Sequence, residues 1–308
     1  MLLLKFVFLS ISIFVLVKSA DYFTESAEKI GLYFKLSPFI VGITIVSVGT
    51  SLPELVTSIF AVIDKQSTIV AGNVIGSNIA NIFLVLGLSA IVSNGLSTKH
   101  DIMRVDLPML AASAFFLYIA SYDGIFDFKE GILSVMGLTA YLLYAYKSKN
   151  INVELTNQPQ ERLKFTTLIV LFASVIFLNI SAKYTVTNIV EMSDMLNIST
   201  SAIAASVVAF GTSLPELMVS INAAKKGNLE MSIGNVIGSN IFNTFGIMGV
   251  ASCIAPIKID TPTITLSLPV MLASTVLLVF SLQNKAMSRW IGYMFVLFYV
   301  LYIVKLFS

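Results

Sequence analysis

One polar motif occurs twice in this apolar chain, once in each half. GTSLPE stands at residues 49–54 and again at residues 211–216, an offset of 162. GNVIGSN follows at residues 72–78 and again at residues 234–240, with the same offset. Around these motifs, 22 of 52 aligned positions are identical without a gap. Internal symmetry of this kind predicts two structurally equivalent halves.

The composition predicts a membrane protein with several helical spans. Of 308 residues, 56% are hydrophobic and 12% are charged, and the mean hydropathy is +0.89. A soluble domain has about a quarter of its residues charged, and runs of about 20 apolar residues have the length of a transmembrane helix. The small net charge of +2 argues against a nucleic-acid partner. We expect a lipid bilayer as the surroundings and no obligatory protein partner.

Apolar runs between charges and turn residues predict an all-α polytopic membrane protein with ten transmembrane helices. The first run has the features of a signal peptide, but we expect it to remain, because its loss would remove the counterpart of the sixth run. The predicted spans are residues 1–20, 38–63, 69–94, 106–121, 127–146, 165–189, 200–223, 231–254, 264–282 and 287–306.

A polar segment divides the spans into two groups of five. We predict a first five-helix repeat at residues 1–147, a cytoplasmic linker at 148–163 and a second repeat at 164–308. Because five is odd, the second repeat enters the membrane inverted, as in many secondary transporters. Loops on one predicted side hold twelve Lys and Arg, against six on the other. The richer side is expected to be cytoplasmic, which places both termini outside the plasma (inner) membrane.

The first motif predicts oxygen ligands around a glutamate inside the membrane. A carboxylate at mid-bilayer costs about 2.5–3.5 kcal/mol, so it indicates a functional site by default. Pro53 lacks a backbone N–H and frees carbonyl groups near Gly49 and Thr50. Thr50 and Ser51 lie four and three residues before Glu54, so their hydroxyls share its helix face. The second copy repeats this arrangement with Thr212, Ser213, Pro215 and Glu216.

The second motif predicts a polar helix stripe beside the glutamates. Its members recur every four residues, as Asn73, Ser77 and Asn81 and as Asn235, Ser239 and Asn243. Glycines at the same spacing, at positions 72, 76, 234 and 238, let a neighbouring helix approach closely. Carboxylate, hydroxyl, amide and carbonyl oxygens suit hard cations, chiefly Ca²⁺ and Na⁺. No Lys or Arg lies in these four spans, which favours a cation site over an anion site.

Several polar residues also have structural interpretations. Ser77 and Ser239 could bond to a carbonyl one turn earlier. For Asn73 and Asn235, interhelical hydrogen bonds are favoured over ion contact, and both interpretations stay open. The remaining positions are expected to be structural or solvated: Asn78 and Asn240 in the bundle, and His100, Asp123, Asp127 and Glu130 in loops.

GTSLPE followed by GNxxGSNxxN, present twice in inverted halves, resembles the calcium/cation antiporter superfamily, in particular its prokaryotic sodium/calcium exchanger type. The resemblance covers all ten predicted spans. It implies exchange of Ca²⁺ for Na⁺ by alternating access, no enzymatic activity, no cofactor, and a mobile pair formed by the first and sixth spans. The ion ligands that it implies are Glu54, Glu216, Thr50, Ser51, Thr212, Ser213, Ser77, Ser239, Asn81 and Asn243, with backbone carbonyls of Ser47 and Ala209.

Other functions compete with this prediction. A proton-coupled Ca²⁺ exchanger of the same fold would use the same two glutamates, alternately protonated and metal-bound. A passive cation channel needs the same oxygen ligands, although inverted repeats with broken helices favour alternating access. An intramembrane protease is disfavoured, because Tyr122-Asp123 has no Gly-x-Gly-Asp partner. Potassium-dependent members of the superfamily have Asp at the position of Asn243, so the resemblance implies transport without K⁺.

Overall fold

The computed structural model describes residues 2–148, 163–195 and 211–306, which form ten helices and four two-residue strands. The helices are α1 (Leu2–Tyr33), α2 (Pro38–Ile63), α3 (Thr68–Val92), α4 (Asp106–Ala120), α5 (Phe128–Ser148), α6 (Phe165–Met195), α7 (Leu214–Lys225), α8 (Leu229–Ile254), α9 (Thr263–Ser281) and α10 (Arg289–Leu306). The strands are β1 (Leu96–Ser97), β2 (Ile125–Phe126), β3 (Ile257–Lys258) and β4 (Ala286–Met287).

A helical membrane architecture is confirmed, although fewer helices than predicted meet a strict length and hydropathy criterion. Among the described residues, seven helices are long and apolar enough to cross a membrane, namely α1, α2, α3, α6, α8, α9 and α10. The apolar helix α4 is shorter than these, and the description of α7 starts only after the gap at 196–210. The predicted linker at 148–163 lies almost entirely outside the described residues.

The first helix is longer than its predicted span. It continues to Tyr33 instead of ending near residue 20, so that boundary was wrong. Asp21 and Glu25 lie beyond the predicted end, and both carboxylates contact Lys226 Nζ at 3.1 Å. Lys226 caps the C-terminal end of α7. Charged residues therefore continue the helix because a partner from the other half pairs with them.

Helices from the two halves interleave throughout the bundle. Along the chain, α1 packs on α6, α4 on α9, α5 on α8, and α10 on α3. The two short antiparallel ribbons join the halves in the same way, with β1 pairing with β4 and β2 with β3. Leu96 and Ile257 are 161 residues apart, as are Ile125 and Ala286. In the second half, β3 is therefore the equivalent of β1 and β4 is the equivalent of β2, so the two ribbons are equivalent to each other. The core is therefore shared between the halves.

Equivalent helices also end in equivalent turns. After α2, Lys65 has a φ of 60°, and after α7, Gly227 has a φ of 84°. Backbone N–H groups one residue later reach back to carbonyls near the helix end, from Gln66 to Ala61 at 2.7 Å and from Asn228 to Ala223 at 2.9 Å. Both are left-handed caps of the kind that satisfies the last carbonyl groups of a helix.

Two groups of loop residues make specific contacts, and for His100 the interpretation from the sequence was wrong. Asp127 accepts from the backbone N–H of Lys129 and Glu130, and Glu130 accepts from that of Asp127 at 2.7 Å. These partly exposed carboxylates form a capping box at the start of α5. His100 is buried, because it stacks on Phe39 and its Nε2 lies 3.2 Å from an Asp106 carboxylate oxygen.

Candidate functional site

The two motif glutamates are buried in the interior of the bundle. Glu54 is 1% exposed and Glu216 is 0% exposed. Ser51 from the first half donates a hydrogen bond to Glu216 Oε1 from the second half at 2.9 Å. Because the two residues are 165 positions apart, this contact brings the duplicated motifs together in one place. The candidate site therefore lies between the halves.

The proline of each motif has a different local environment. Pro53 lies inside the continuous helix from Ser47 to Ile63. In the second copy, a turn at 212–213 interrupts the backbone, and Pro215 occupies the first turn of α7. Proline is favoured there because its missing N–H would have had no helical partner. The predicted break at the motif is therefore present in the second half, whereas the first half keeps its helix.

Wide π-helical turns lie at the predicted ligands of the polar stripe. In α3 such a turn spans Asn81–Leu86, and in α8 the equivalent turn spans Phe242–Ile247 and contains Asn243. A third one in α2 spans Gly42–Val46 and ends directly before Ser47. Turns of this kind are often found at functional sites. Here they shift the helix face at the positions predicted to hold an ion.

The remaining predicted ligands of the first half are buried in the same region. Thr50 Oγ1 donates to the Ser47 carbonyl at 3.2 Å, and Ser77 Oγ lies 3.4 Å from Thr212 Oγ1. Asn81 Nδ2 donates to Asn240 Oδ1 at 3.1 Å. For Ser77 and Ser239, no hydrogen bond to a carbonyl one turn earlier is found in the described structure. Their hydroxyls thus remain available inside the bundle.

Many polar atoms of the predicted ligands are buried without a hydrogen-bond partner within the described part of the chain. A buried polar atom without a partner is rare and requires an explanation. Apart from the Asn243 amide nitrogen, these atoms are carboxylate, hydroxyl or amide oxygens, so a hard cation fits them. They are both carboxylate oxygens of Glu54, Oε2 of Glu216, Oγ of Ser213 and Ser239, Oδ1 of Asn81, and both amide atoms of Asn243. Ala209 lies outside the described residues.

Close helix approach is confirmed at the glycines of the second half. A Cβ atom on Gly234 would lie 2.5 Å from the Phe39 carbonyl, and one on Gly238 would lie 2.7 Å from Ile43 Cα. At Gly72 and Gly76, no described atom lies within 4 Å of such a Cβ. The segment that symmetry would place there, residues 200–205, is outside the described residues. Only the α8–α2 contact can therefore be evaluated.

Asn235 joins two helices, as favoured from the sequence, whereas Asn73 Nδ2 has no hydrogen-bond partner in the described structure. Asn235 Nδ2 donates to Ser220 Oγ at 2.9 Å, and Asn78 Nδ2 donates to Thr244 Oγ1 at 2.9 Å. Thr244 was missed because the equivalent position in the first half is Ile82, so the repeat gave no signal. Across residues 2–148, 163–195 and 211–306, no group of three or more His, Cys, Asp or Glu could hold a metal.

Comparison with known proteins shows the family of the chain. The family model described as sodium/calcium exchanger protein matches residues 4–147 and 166–307. The chain is 34% identical to the sodium/calcium exchanger MaX1 of Methanosarcina acetivorans, covering 100% of this chain and 99% of that protein. It is 30% identical to the inner membrane protein YrbG of Escherichia coli, covering 84% of this chain and 82% of the relative.

A solved structure has the same fold. The sodium-calcium exchanger NCX_Mj, soaked with 10 mM Na⁺ and zero Ca²⁺, superimposes with a TM-score of 0.86 at 31% identity, with 99% of each chain covered. Matches over almost the whole length leave no large part of the chain outside the similarity. This chain is an integral membrane transporter that belongs to the sodium/calcium exchanger family.

Proposed function

We propose that the protein exchanges Ca²⁺ for Na⁺ across the plasma (inner) membrane by alternating access. The two glutamates, Glu54 and Glu216, are the central ligands. They are assisted by oxygens of Thr50, Ser51, Thr212, Ser213, Ser77, Ser239, Asn81 and Asn243 and by the backbone carbonyls of Ser47 and Ala209. The relative MaX1 and the solved exchanger NCX_Mj, both named as sodium/calcium exchangers, support this assignment.

The observation that carries the proposal is the pair of buried glutamates with unpartnered oxygens. Burying a carboxylate without a compensating charge is costly, so the site must be loaded with a cation or a proton. Two carboxylates balance the charge of one Ca²⁺, and Na⁺ ions can replace it. Because an unloaded site would leave both charges uncompensated inside the membrane, crossing without a cation is disfavoured. Exchange is therefore favoured over leak.

We propose ten spans in two inverted five-helix repeats at residues 1–147 and 164–308, joined by a cytoplasmic linker at 148–163, with both termini outside. The pairing of the ribbons supports this arrangement, since β1 with β4 and β2 with β3 join loops assigned to the same side. The ribbon of β1 and β4 then lies on one side of the membrane, and the equivalent ribbon of β2 and β3 lies on the opposite side. The mobile elements are α1 and α6, which pack along each other at the edge of the bundle.

A transport assay tests the proposed function. Purified protein is reconstituted in Na⁺-loaded liposomes, and radioactive Ca²⁺ uptake is followed on dilution into Na⁺-free buffer. We expect uptake that requires internal Na⁺, saturates with Ca²⁺ and shows counterflow. Uptake driven only by a pH gradient would replace the proposal by proton coupling, and flux without saturation or counterflow would indicate a channel.

Low pH is expected to inhibit uptake competitively. Protons neutralise the carboxylates of Glu54 and Glu216, and a protonated carboxyl group is a poor Ca²⁺ ligand. Acidification should therefore raise the Ca²⁺ concentration for half-maximal uptake, while saturating Ca²⁺ restores the rate. The variant His100→Gln is the control, because His100 is the single histidine of the chain. Unchanged Ca²⁺ affinity in acidic buffer, or inhibition that disappears in this variant, would contradict the prediction.

Calcium uptake is expected to proceed without potassium. Asn243 keeps an amide oxygen at its position in α8 but carries no charge, so the site has two carboxylates to balance. Replacing K⁺ by choline on both sides should leave the Na⁺-driven rate unchanged. The variant Asn243→Asp adds a third carboxylate, and any stimulation by K⁺ should appear there. Loss of uptake by the unmodified protein in K⁺-free buffer would disprove the prediction.

A further inference from the structure

The two copies of the motif make different hydrogen bonds, although their sequences are nearly the same. In one set, Ser51 donates to Glu216, and Thr50 Oγ1 lies 3.4 Å from Asn235 Oδ1. Asn235 Nδ2 in turn bonds to Ser220 Oγ at 2.9 Å and lies 3.5 Å from the Glu216 carbonyl. These contacts link α7 to α8 and connect both to α2.

The equivalent contacts of the other copy are all missing. With the offset of 162 they would join Ser213 to Glu54, Thr212 to Asn73, and Asn73 to Ser58. All of these residues lie in the described part of the chain. Instead, most of the atoms that would form these bonds are buried without partners, and Thr212 Oγ1 contacts Ser77 Oγ. The unpartnered atoms are Oγ of Ser58 and Ser213, Nδ2 of Asn73, and both carboxylate oxygens of Glu54.

The helix packing shows the same asymmetry. Although α7 is shorter than α2, it contacts the first turns of α8 more extensively than α2 contacts the first turns of α3. Ser58 lies one turn beyond Glu54, between it and the turn at Lys65 that follows α2. Ser220 lies one turn beyond Glu216, between it and the turn at Gly227 that follows α7. The bond from Asn235 to Ser220 therefore ties α8 to α7 beyond Glu216, on the side of Gly227. The equivalent bond between α3 and α2 beyond Glu54 is absent.

We propose that Asn73 and Asn235 are reciprocal latches of the transport cycle, an inference that rests on the proposed alternating access. In the state described here, Asn235 holds Ser220, and the side of Lys226 is closed. In the opposite state, Asn73 bonds to Ser58, Ser213 donates to Glu54, and the side of Lys65 is closed. Each asparagine acts as a positioning residue, because it sets which face the glutamates can reach.

A pair of matched cysteine reporters tests the latches. Val62 and Ala224 are equivalent positions two turns beyond the glutamates, and both are buried. Val62→Cys or Ala224→Cys is introduced after Cys253→Ser has removed the native thiol. The rate of labelling by a membrane-impermeant thiol reagent is then measured in vesicles of known orientation, with the reagent on the face that each reporter approaches. Each reporter is measured in three proteins: one without a substitution in the latches, one with Ser220→Ala and one with Ser58→Ala.

Opposite shifts are expected from the two serine variants, each of which removes one hydroxyl. Ser220→Ala should speed labelling at position 224 and slow it at position 62, so that the ratio of the two rates changes about fivefold, the effect of one hydrogen bond. Ser58→Ala should change the ratio in the other direction. Asn235→Ala and Asn73→Ala should repeat the two patterns. If the asparagines had a purely structural role, the substitutions in the two copies would weaken the bundle alike. The labelling ratio would then change in the same direction in all four variants, and the latches would be disproved.

Transport measured in the same vesicles distinguishes failure of the latches from failure of the proposed function. Sodium-driven Ca²⁺ uptake by the protein with wild-type latches, together with unchanged or parallel labelling ratios, would overturn the latches and leave the proposed function intact. Absence of such uptake would overturn the proposed function and this inference with it. Opposite shifts in a preparation that exchanges Ca²⁺ for Na⁺ support both.

Discussion

Glutamine at either central position is expected to abolish sodium-driven calcium uptake. Glu54→Gln and Glu216→Gln keep the size of the side chain but remove one of the two charges that balance Ca²⁺. Removing one partner of a buried charge interaction costs about 3–5 kcal/mol, which corresponds to a loss of roughly 150- to 5,000-fold in Ca²⁺ affinity. Initial uptake rates into Na⁺-loaded liposomes, measured over a range of Ca²⁺ concentrations, report this loss.

The same substitution outside the site is the matched control. Glu130→Gln changes a glutamate of the capping box at the start of α5, where glutamine also serves. We expect its uptake to equal that of the unmodified protein. Equal activity of all three variants would mean that the buried carboxylates are not ion ligands. Loss of activity in Glu130→Gln as well would point to a general defect of folding or reconstitution.

Filling the contact between α8 and α2 is expected to destabilise the bundle. A Cβ atom at Gly238 would meet Ser47 Oγ at 2.6 Å and Ile43 Cα at 2.7 Å, and the Ile43 atom belongs to backbone that cannot move alone. The helices must separate, and overpacking of this kind costs about 1–3 kcal/mol. Gly238→Val should therefore lower the midpoint of thermal aggregation in detergent and reduce Ca²⁺ uptake, because Ser47 and Thr50 shift with α2.

A neighbouring substitution on the same helix serves as the control. Ser232→Ala removes a buried hydroxyl that has no hydrogen-bond partner in the described structure, so its removal leaves nothing unsatisfied. We expect the thermal midpoint of Ser232→Ala to stay unchanged or to rise. A Gly238→Val variant as stable as Ser232→Ala would show that α8 and α2 do not approach as closely as described.

The sequence could predict features that each half carries by itself. The break at the second motif and the close approach at the glycines of α8 follow from local chemistry, and the structure contains both. The comparisons confirm the family that the motifs indicated. Spacing along one helix is sufficient for such predictions, because it decides which side chains share a face.

Features that depend on contacts between distant elements could not be predicted in this way. His100 is buried because Phe39 and Asp106 meet it from two other helices, and nothing near position 100 indicates this. The first helix continues past Asp21 because Lys226 pairs with it from the other half. The different hydrogen bonds of the two motif copies also could not be predicted from the sequence, because nearly identical residues form them on the two sides of the site.

The two cross-half ribbons have a consequence for the biogenesis of the protein. The strand at Leu96–Ser97 pairs with residues 286–287, so the ribosome has synthesised most of the chain before this partner exists. Until then the first half is in the membrane with one loop strand unpaired and with helix faces that α6, α8, α9 and α10 cover later. Membrane insertion therefore precedes completion of the fold, and the last loop to emerge joins the two halves.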